Sequence, residues 1–236
     1  MAAERAAPRG VNVGAPPSAR EIETLYADML RAIGPTGWWP AETRFEIMVG
    51  AVLTQNTAWG NVARSLEALR GADALTPRAL LRMDEERLRN LIRPSGFQRN
   101  KARALRDLSR WFVDRCDADP GRLAHVDDVA LRGELLSLFG VGGETADDLM
   151  LYVFDRRAFV ADAYARRLLA FCGWTPPRGY AAFHDAMIGP VLATSLGVPE
   201  LQELHGLIDE FGKVWRDDDA KTRSPLAAWR GALSGR

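Results

Sequence analysis

Apolar residues recur every three or four positions along most of this chain, the spacing of helices buried on one face rather than the period of two that marks strands. Ile22, Leu25, Met29 and Ile33 line the first such face, which Ser18 or Glu21 opens and Gly34-Pro35-Thr36-Gly37 ends. A second helix runs from about Glu42 with Phe45, Met48, Val49 and Val52. A third follows Gln55-Asn56-Thr57, carries Val62, Leu66 and Leu69, and stops at Gly71. Thr76-Pro77 and Asp84 read as starts of two short helices: a side-chain oxygen satisfies a free backbone amide, and Pro lacks an amide the first turn could not use. After the turn Pro94-Ser95-Gly96 comes a long helix with Ala102, Leu105, Leu108, Trp111 and Phe112. Helical patterns continue over about 127–138, 143–154, 162–172, 180–195 and 200–215. No alternating run exceeds three or four residues, so the pattern predicts an all-α fold.

The most informative break in this pattern is Leu138-Phe139-Gly140-Val141-Gly142-Gly143-Glu144-Thr145-Ala146, where one amphipathic helix passes through a glycine turn into the next. Gly140 and Gly142 can take positive φ and let the backbone approach a phosphate closely. Val141 can fill the angle between the helices, and Thr145 is small where they must pack. The free amides and dipole at the start of the second helix attract an anion. A plain hairpin of two helices with a glycine cap has the same elements, and the turn alone does not separate the two readings. Downstream, Asp162 sits in Val160-Ala161-Asp162-Ala163-Tyr164-Ala165-Arg166-Arg167 at a helix start. It can serve as an N-cap and still present one carboxylate oxygen to a cleft.

Composition narrows the class. Apolar residues make up 47% and charged residues 26%, ordinary for a globular protein. The best apolar run, Ile47 to Leu53, is far short of the ~20 residues of a membrane span. Residues 1–20 lack an apolar centre and read as a flexible tail without a signal peptide, which gives a cytoplasmic, nucleoid-associated protein as the expectation. The chain carries 31 basic and 31 acidic residues. Nucleic-acid binding must then rest on a local patch, for which Arg93, Arg99, Lys101 and Arg103 are candidates, although such a run also suits a solvated helix face. The lysines are only Lys101, Lys213 and Lys221, and the two cysteines, Cys116 and Cys172, cannot form a four-cysteine cluster and read as buried thiols. No metal or other cofactor is expected.

The hairpin with an aspartate eighteen residues past Glu144 resembles the helix-hairpin-helix glycosylases of the endonuclease III superfamily (HhH-GPD). The resemblance covers roughly residues 20–217 and extends to Ala51-Val52-Leu53-Thr54-Gln55-Asn56-Thr57 and Gly96-Phe97-Gln98-Arg99-Asn100-Lys101-Ala102. It implies two all-α lobes with a DNA-binding cleft between them. One is a six-helix lobe over about 36–156, and the other joins 20–35 to 157–217; residues 1–19 and 218–236 are left as tails. It also implies a monomer acting on double-stranded DNA that holds a damaged base. Gly140, Val141, Gly142, Gly143 and Thr145 would lie at the backbone. Gln55, Asn56 and Phe97 sit in turns where relatives fill the gap left by an everted base. Arg99 and Lys101 would add phosphate contacts.

Two departures sharpen the resemblance. Bifunctional members carry a lysine where this chain has Glu144, and no cysteine cluster follows Phe211-Gly212-Lys213. The sequence looks like the endonuclease III-like 3-methyladenine DNA glycosylases, on Trp38-Trp39-Pro40, Phe45, Glu144, Asp162 and Lys213. That subgroup implies an aromatic base pocket and a nearby lysine open to carbamylation. Where many endonuclease III relatives follow the aspartate with Thr-His, this chain has Ala163-Tyr164, and Tyr164 could approach the same cleft.

A duplex base must be flipped out to be reached. Alkylation at N3 or N7 makes a purine cationic and draws it to aromatic faces by ~0.5–2 kcal/mol each. Trp38, Trp39 and Phe45 could supply such faces or simply cap the core. Asp162, ionised, could stabilise an oxocarbenium-like sugar and orient the attacking water. The expected activity is base removal with little or no strand cleavage. A glycosylase for a mismatched or oxidised base, or an inactive DNA-binding relative, are the competing readings.

Overall fold

The structure, a computed structural model, describes residues 14–234. Among these residues it holds twelve α-helices and no strand. Helix α1 (Ala19–Ile33) begins at Ser18, whose backbone amide and hydroxyl both donate to Glu21 Oε2 at 2.8 and 2.7 Å. Helices α2 (Arg44–Leu53), α3 (Trp59–Gly71), α4 (Pro77–Arg82), α5 (Glu85–Leu91), α6 (Gln98–Cys116), α7 (Asp128–Leu136) and α8 (Gly143–Tyr152) pack around one another, with α6 against α2, α4 and α5. Thr76 and Asp84 cap α4 and α5 as their side chains predict, the first accepting from Ala79 N and the second from Glu86 N and Arg87 N.

Helices α10 (Tyr180–Leu192) and α11 (Val198–Val214) pack on α1, and α9 (Ala163–Phe171) packs on α11. Helix α8 touches both groups, meeting α2 and α7 on one side and α10 and α11 on the other. It is therefore the wall the two groups share. Met29, Met48, Leu53, Leu69, Phe112, Phe183 and Phe211 are among the sealed side chains, and truncating one of these leucines would cost roughly 2–5 kcal/mol.

Both ends depart from the reading of loose tails. Residues 1–13 lie outside the described residues. Gly14, however, accepts a hydrogen bond from Trp174 Nε1 at 2.8 Å, and Pro17 is buried. At the other end, α12 (Asp218–Thr222) and the segment after it pack on the end of α9. Gly231 N donates to Phe171 O and Leu233 N to Cys172 O, Trp229 Nε1 reaches Asp28, and Leu226, Leu233 and Lys221 are buried. An iron–sulfur cluster of the cysteine-bound kind needs four thiolates. The chain's two cysteines do not fit such a cluster: Cys116 ends α6, Cys172 ends α9, both are buried, and burial pushes the Cys172 thiol up to about 12.

Candidate active site

Helices α7 and α8 meet through the glycine turn. Gly140 has φ 76°, and a Cβ there would stand 2.7 Å from Ala104 Cβ on α6, so both backbone and packing require glycine. Gly142 differs from expectation. Its φ is −91° in extended backbone, because it is the N-cap of α8 and not a second left-handed residue. Val141 is buried as a plug. Gln55, in the turn after α2, donates from Nε2 to Gly140 O and Thr145 Oγ1, both at 2.9 Å, and so fastens that turn to the hairpin.

A cavity of about 570 Å³ opens beside this turn, lined by Gly140, Gly142, Gly143, Glu144 and Thr145, by Gln55 and Asn56, and by Trp38, Trp39, Asp162, Tyr164 and Lys213. Pro40 and Phe45 are not in its wall. Phe45 belongs to the α2 face that carries Met48, Val49 and Val52, and stacks on Phe112 in the core at 6.5 Å; Pro40 is exposed beyond the lining. The aromatic face expected of Phe45 is supplied by Trp59 at the start of α3. Its ring is 5.3 Å from Trp38 and 5.8 Å from Trp39.

The aromatic wall rests on glycines. Trp39 lies over Gly50 of α2, Trp38 on Gly206 of α11, Tyr180 on Gly143 of α8, and Tyr164 fills the space a side chain at Gly212 would take. Tyr180 also binds the two groups of helices together. Its hydroxyl accepts from Ala161 N at 3.1 Å and donates to Asp147 Oδ2 at 2.8 Å, while Arg132 grips Asp147 through two bonds of 2.7 and 3.0 Å. The residue before Asp162 is thus tied to the hairpin helix through a charge-assisted network.

Asp162 caps α9, accepting from Ala165 N at 2.7 Å. Burial raises its pKa to about 7. The amides of Ala165 and Tyr164 pull it down, and the carboxylates of Glu144 and Asp209 push it up. Burial also raises Glu144 at the cavity mouth, and Asp209, whose rise Lys213 opposes. His205, hydrogen-bonded through Nδ1 to the Tyr152 hydroxyl at 2.8 Å, is held neutral, because burial lowers it to about 4.

Lys213 is the amine in this wall. It contacts Asp209 Oδ2 at 2.6 Å and Glu210 Oε1 at 2.9 Å, with its ammonium 4.7 Å from the Trp38 ring centre. Burial alone would lower its pKa, but the two carboxylates outweigh burial and hold it above the ordinary value. In the unliganded cavity this amine is therefore held mainly as the ammonium.

Two sequence-predicted contacts separate here. Phe97 is 67% exposed, in left-handed backbone at the start of α6, so it is no core residue. Arg99 is exposed beside it. Lys101 instead turns inward: its Nζ donates to Leu53 O, Thr57 Oγ1 and Ser95 O at 2.7–2.8 Å, and burial lowers its pKa to about 8. It offers no surface charge to a phosphate. It pins the turn bearing Gln55 and Asn56 to the turn bearing Phe97. Trp59, Asp148, Tyr180, His205 and Asp209 escaped sequence reading. Only Trp59 carried a local signal, an aromatic two residues past Gln55-Asn56-Thr57.

A hairpin fit for an anion, a carboxylate in the adjoining cavity and an aromatic wall define the class of helix-hairpin-helix base-excision proteins. The chain belongs to the HhH-GPD superfamily of base excision DNA repair proteins, whose model matches residues 49–186. The protein MJ1434 of Methanocaldococcus jannaschii, which carries the name of a DNA repair glycosylase, is 43% identical over 153 residues, 64% of this chain and 70% of its own. Endonuclease III of Thermotoga maritima is 29% identical, over 72% of this chain and 73% of its own. Among solved structures, the H. pylori 3-methyladenine DNA glycosylase bound to 1,N6-ethenoadenine superposes with a TM-score of 0.64 at 28% identity, covering 83% of this chain and 95% of that one. A non-covalent endonuclease III–DNA complex, at 20% identity, shares the fold with a TM-score of 0.67 over 92% and 97%.

Proposed function

We propose that this chain is a monofunctional DNA glycosylase that binds damaged double-stranded DNA and hydrolyses the N-glycosidic bond of an everted alkylated purine, 3-methyladenine above all. The observation that carries the reading is Asp162, capped by the start of α9 and facing the same cavity as Gly140, Gly142 and Gly143. A phosphate held at the α8 amides would bring the next sugar toward that carboxylate. Exposed Phe97, with Gln55 and Asn56, would fill the gap the base leaves.

A cationic base is already a good leaving group, so the residues need supply little acid. Trp38, Trp39 and Trp59 offer electron-rich faces worth roughly 0.5–2 kcal/mol per contact, and carboxylates outnumber the single lysine around them. Ionised Asp162 stabilises the positive charge that grows on the sugar and takes a proton from the attacking water. Water attacks because no free amine is at hand: the hairpin position is Glu144, and Lys213 is paired with Asp209 and Glu210.

Duplexes carrying alkylated, deaminated and oxidised bases test the proposal, with alkali revealing abasic sites and borohydride trapping any Schiff base. The expected result is release of 3-methyladenine, breakage only after alkali, and no trapped adduct. A borohydride-trapped complex would refute the monofunctional assignment. Release confined to a mismatched or oxidised base would refute the alkylpurine substrate, and binding without release of any base would refute catalysis.

A further inference from the structure

Asp148 stands one helical turn beyond Glu144 on α8 and lines the cavity. Only 8% of its surface is exposed, and its Oδ1 is sealed from solvent with no hydrogen-bond partner. Its neighbour on the same helix receives different treatment. Asp147 is held by both arms of Arg132 and by the Tyr180 hydroxyl, a complete set of donors for a carboxylate that serves the fold. Among the described residues no donor reaches Asp148 Oδ1. Native interiors leave few polar atoms unpaired, and an unpaired carboxyl in the wall of a binding cavity is a place where a ligand can complete the interior once the side chain turns toward it.

We propose that Asp148 is a base-reading residue, hydrogen-bonding the ring edge of the everted base and so selecting bases that present an acceptor beside a donor. The inference rests on the glycosylase reading above and names what that pocket recognises. Burial, and after it the carboxylates of Glu144, Asp162, Asp147 and Asp209, push the Asp148 pKa well above the carboxylate range. A protonated carboxyl offers one O–H donor next to one carbonyl acceptor. Adenine alkylated at N3 or N7 keeps the matching edge, with N1 as acceptor and the exocyclic amino group as donor. In 1,N6-ethenoadenine the etheno bridge closes that edge and removes the amino donor. Asp148 therefore discriminates against such bridged bases while Trp38, Trp39 and Trp59 accept the ring faces of both.

Single-turnover release from methylated duplex and from a 1,N6-ethenoadenine duplex, compared across wild type, Asp148→Leu and Asp148→Asn, tests this. Wild type is expected to favour 3-methyladenine by more than tenfold, because one hydrogen-bonded pair adds about tenfold to the advantage of a cationic leaving group. Asp148→Leu is expected to lose about tenfold on 3-methyladenine, to shrink the preference over 1,N6-ethenoadenine by about the same factor and to keep its thermal midpoint. Asp148→Asn, which retains a donor beside an acceptor, should restore most of that loss. Unchanged rates and an unchanged ratio in Asp148→Leu would overturn the proposal, as would Asp148→Asn losing as much as Asp148→Leu. Binding of free 3-methyladenine and free 1,N6-ethenoadenine, read from tryptophan emission, separates this inference from the reading beneath it. Wild type that binds the first base selectively but releases none sinks the catalytic reading and leaves Asp148 as the reader. Release without any dependence on residue 148 sinks only the reader.

Discussion

The two turns that carry Gln55 and Phe97 and the cavity beside them are built on opposite principles. At the turns, Lys101 sits buried with three oxygen acceptors and no carboxylate, so its positive charge is spent on holding the loops of Gln55 and Phe97 together. In the cavity, Lys213 is half-buried against two carboxylates, while the Trp38 and Trp39 indole nitrogens and Asp148 Oδ1 are buried without partners. One region has its polar groups satisfied from within. The other holds buried polar groups that no described residue satisfies. Satisfied networks make a rigid frame, and unsatisfied ones mark where a ligand completes the interior.

Removing the frame should have the largest effect on folding. Lys101→Met removes three hydrogen bonds at once, leaving Leu53 O without its side-chain donor while Ser95 O keeps the Thr57 hydroxyl, and is expected to cost about 2–4 kcal/mol, a drop in thermal midpoint of roughly 5–10 °C by calorimetry. A midpoint within a degree of wild type would mean the turns hold themselves. Phe97→Ala should do the reverse. As an exposed residue it should leave stability within about 0.5 kcal/mol, yet weaken binding to a lesion duplex by about tenfold in a titration. Equal binding by both proteins would remove Phe97 from the wedge. The gentlest probe is pH. Asp162 titrates at about 7 in the folded chain against an ordinary 3.8, so the native state holds the extra proton between those values. Its contribution to stability therefore falls as pH rises through that window, while excision, which needs the carboxylate, rises toward and past pH 7. A single-turnover profile flat from pH 5 to 8 would contradict this.

The helices were legible because their signals are local. Ser18, Thr76 and Asp84 cap what they appear to cap, and the Gly140 turn and Asp162 carry their meaning in a few neighbouring residues. Two misreadings were avoidable from the same pattern. Lys101 shares the face of Leu105, Leu108 and Phe112, and Phe45 that of Met48, Val49 and Val52, so both belonged to the interior. Gly142 can take a positive φ, but its place as an N-cap does not need one. The packed segment after Asp217 was hidden for another reason: Leu226 and Leu233 are too sparse to form a periodic face. The rest of the cavity wall lay beyond sequence reading on physical grounds. Asp148, Tyr180, His205 and Asp209 look like ordinary helix residues until α8, α10 and α11 converge on one space.

The account stands or falls on Asp162, and Asp162→Asn tests it with the least disturbance, since the amide oxygen can still cap α9. Single-turnover release of 3-methyladenine from methylated duplex, measured beside duplex affinity and thermal midpoint, is expected to fall by about a thousandfold or more, with affinity within a few-fold and the midpoint equal to or above that of wild type. Release at the wild-type rate by a folded, DNA-bound Asp162→Asn protein would contradict it.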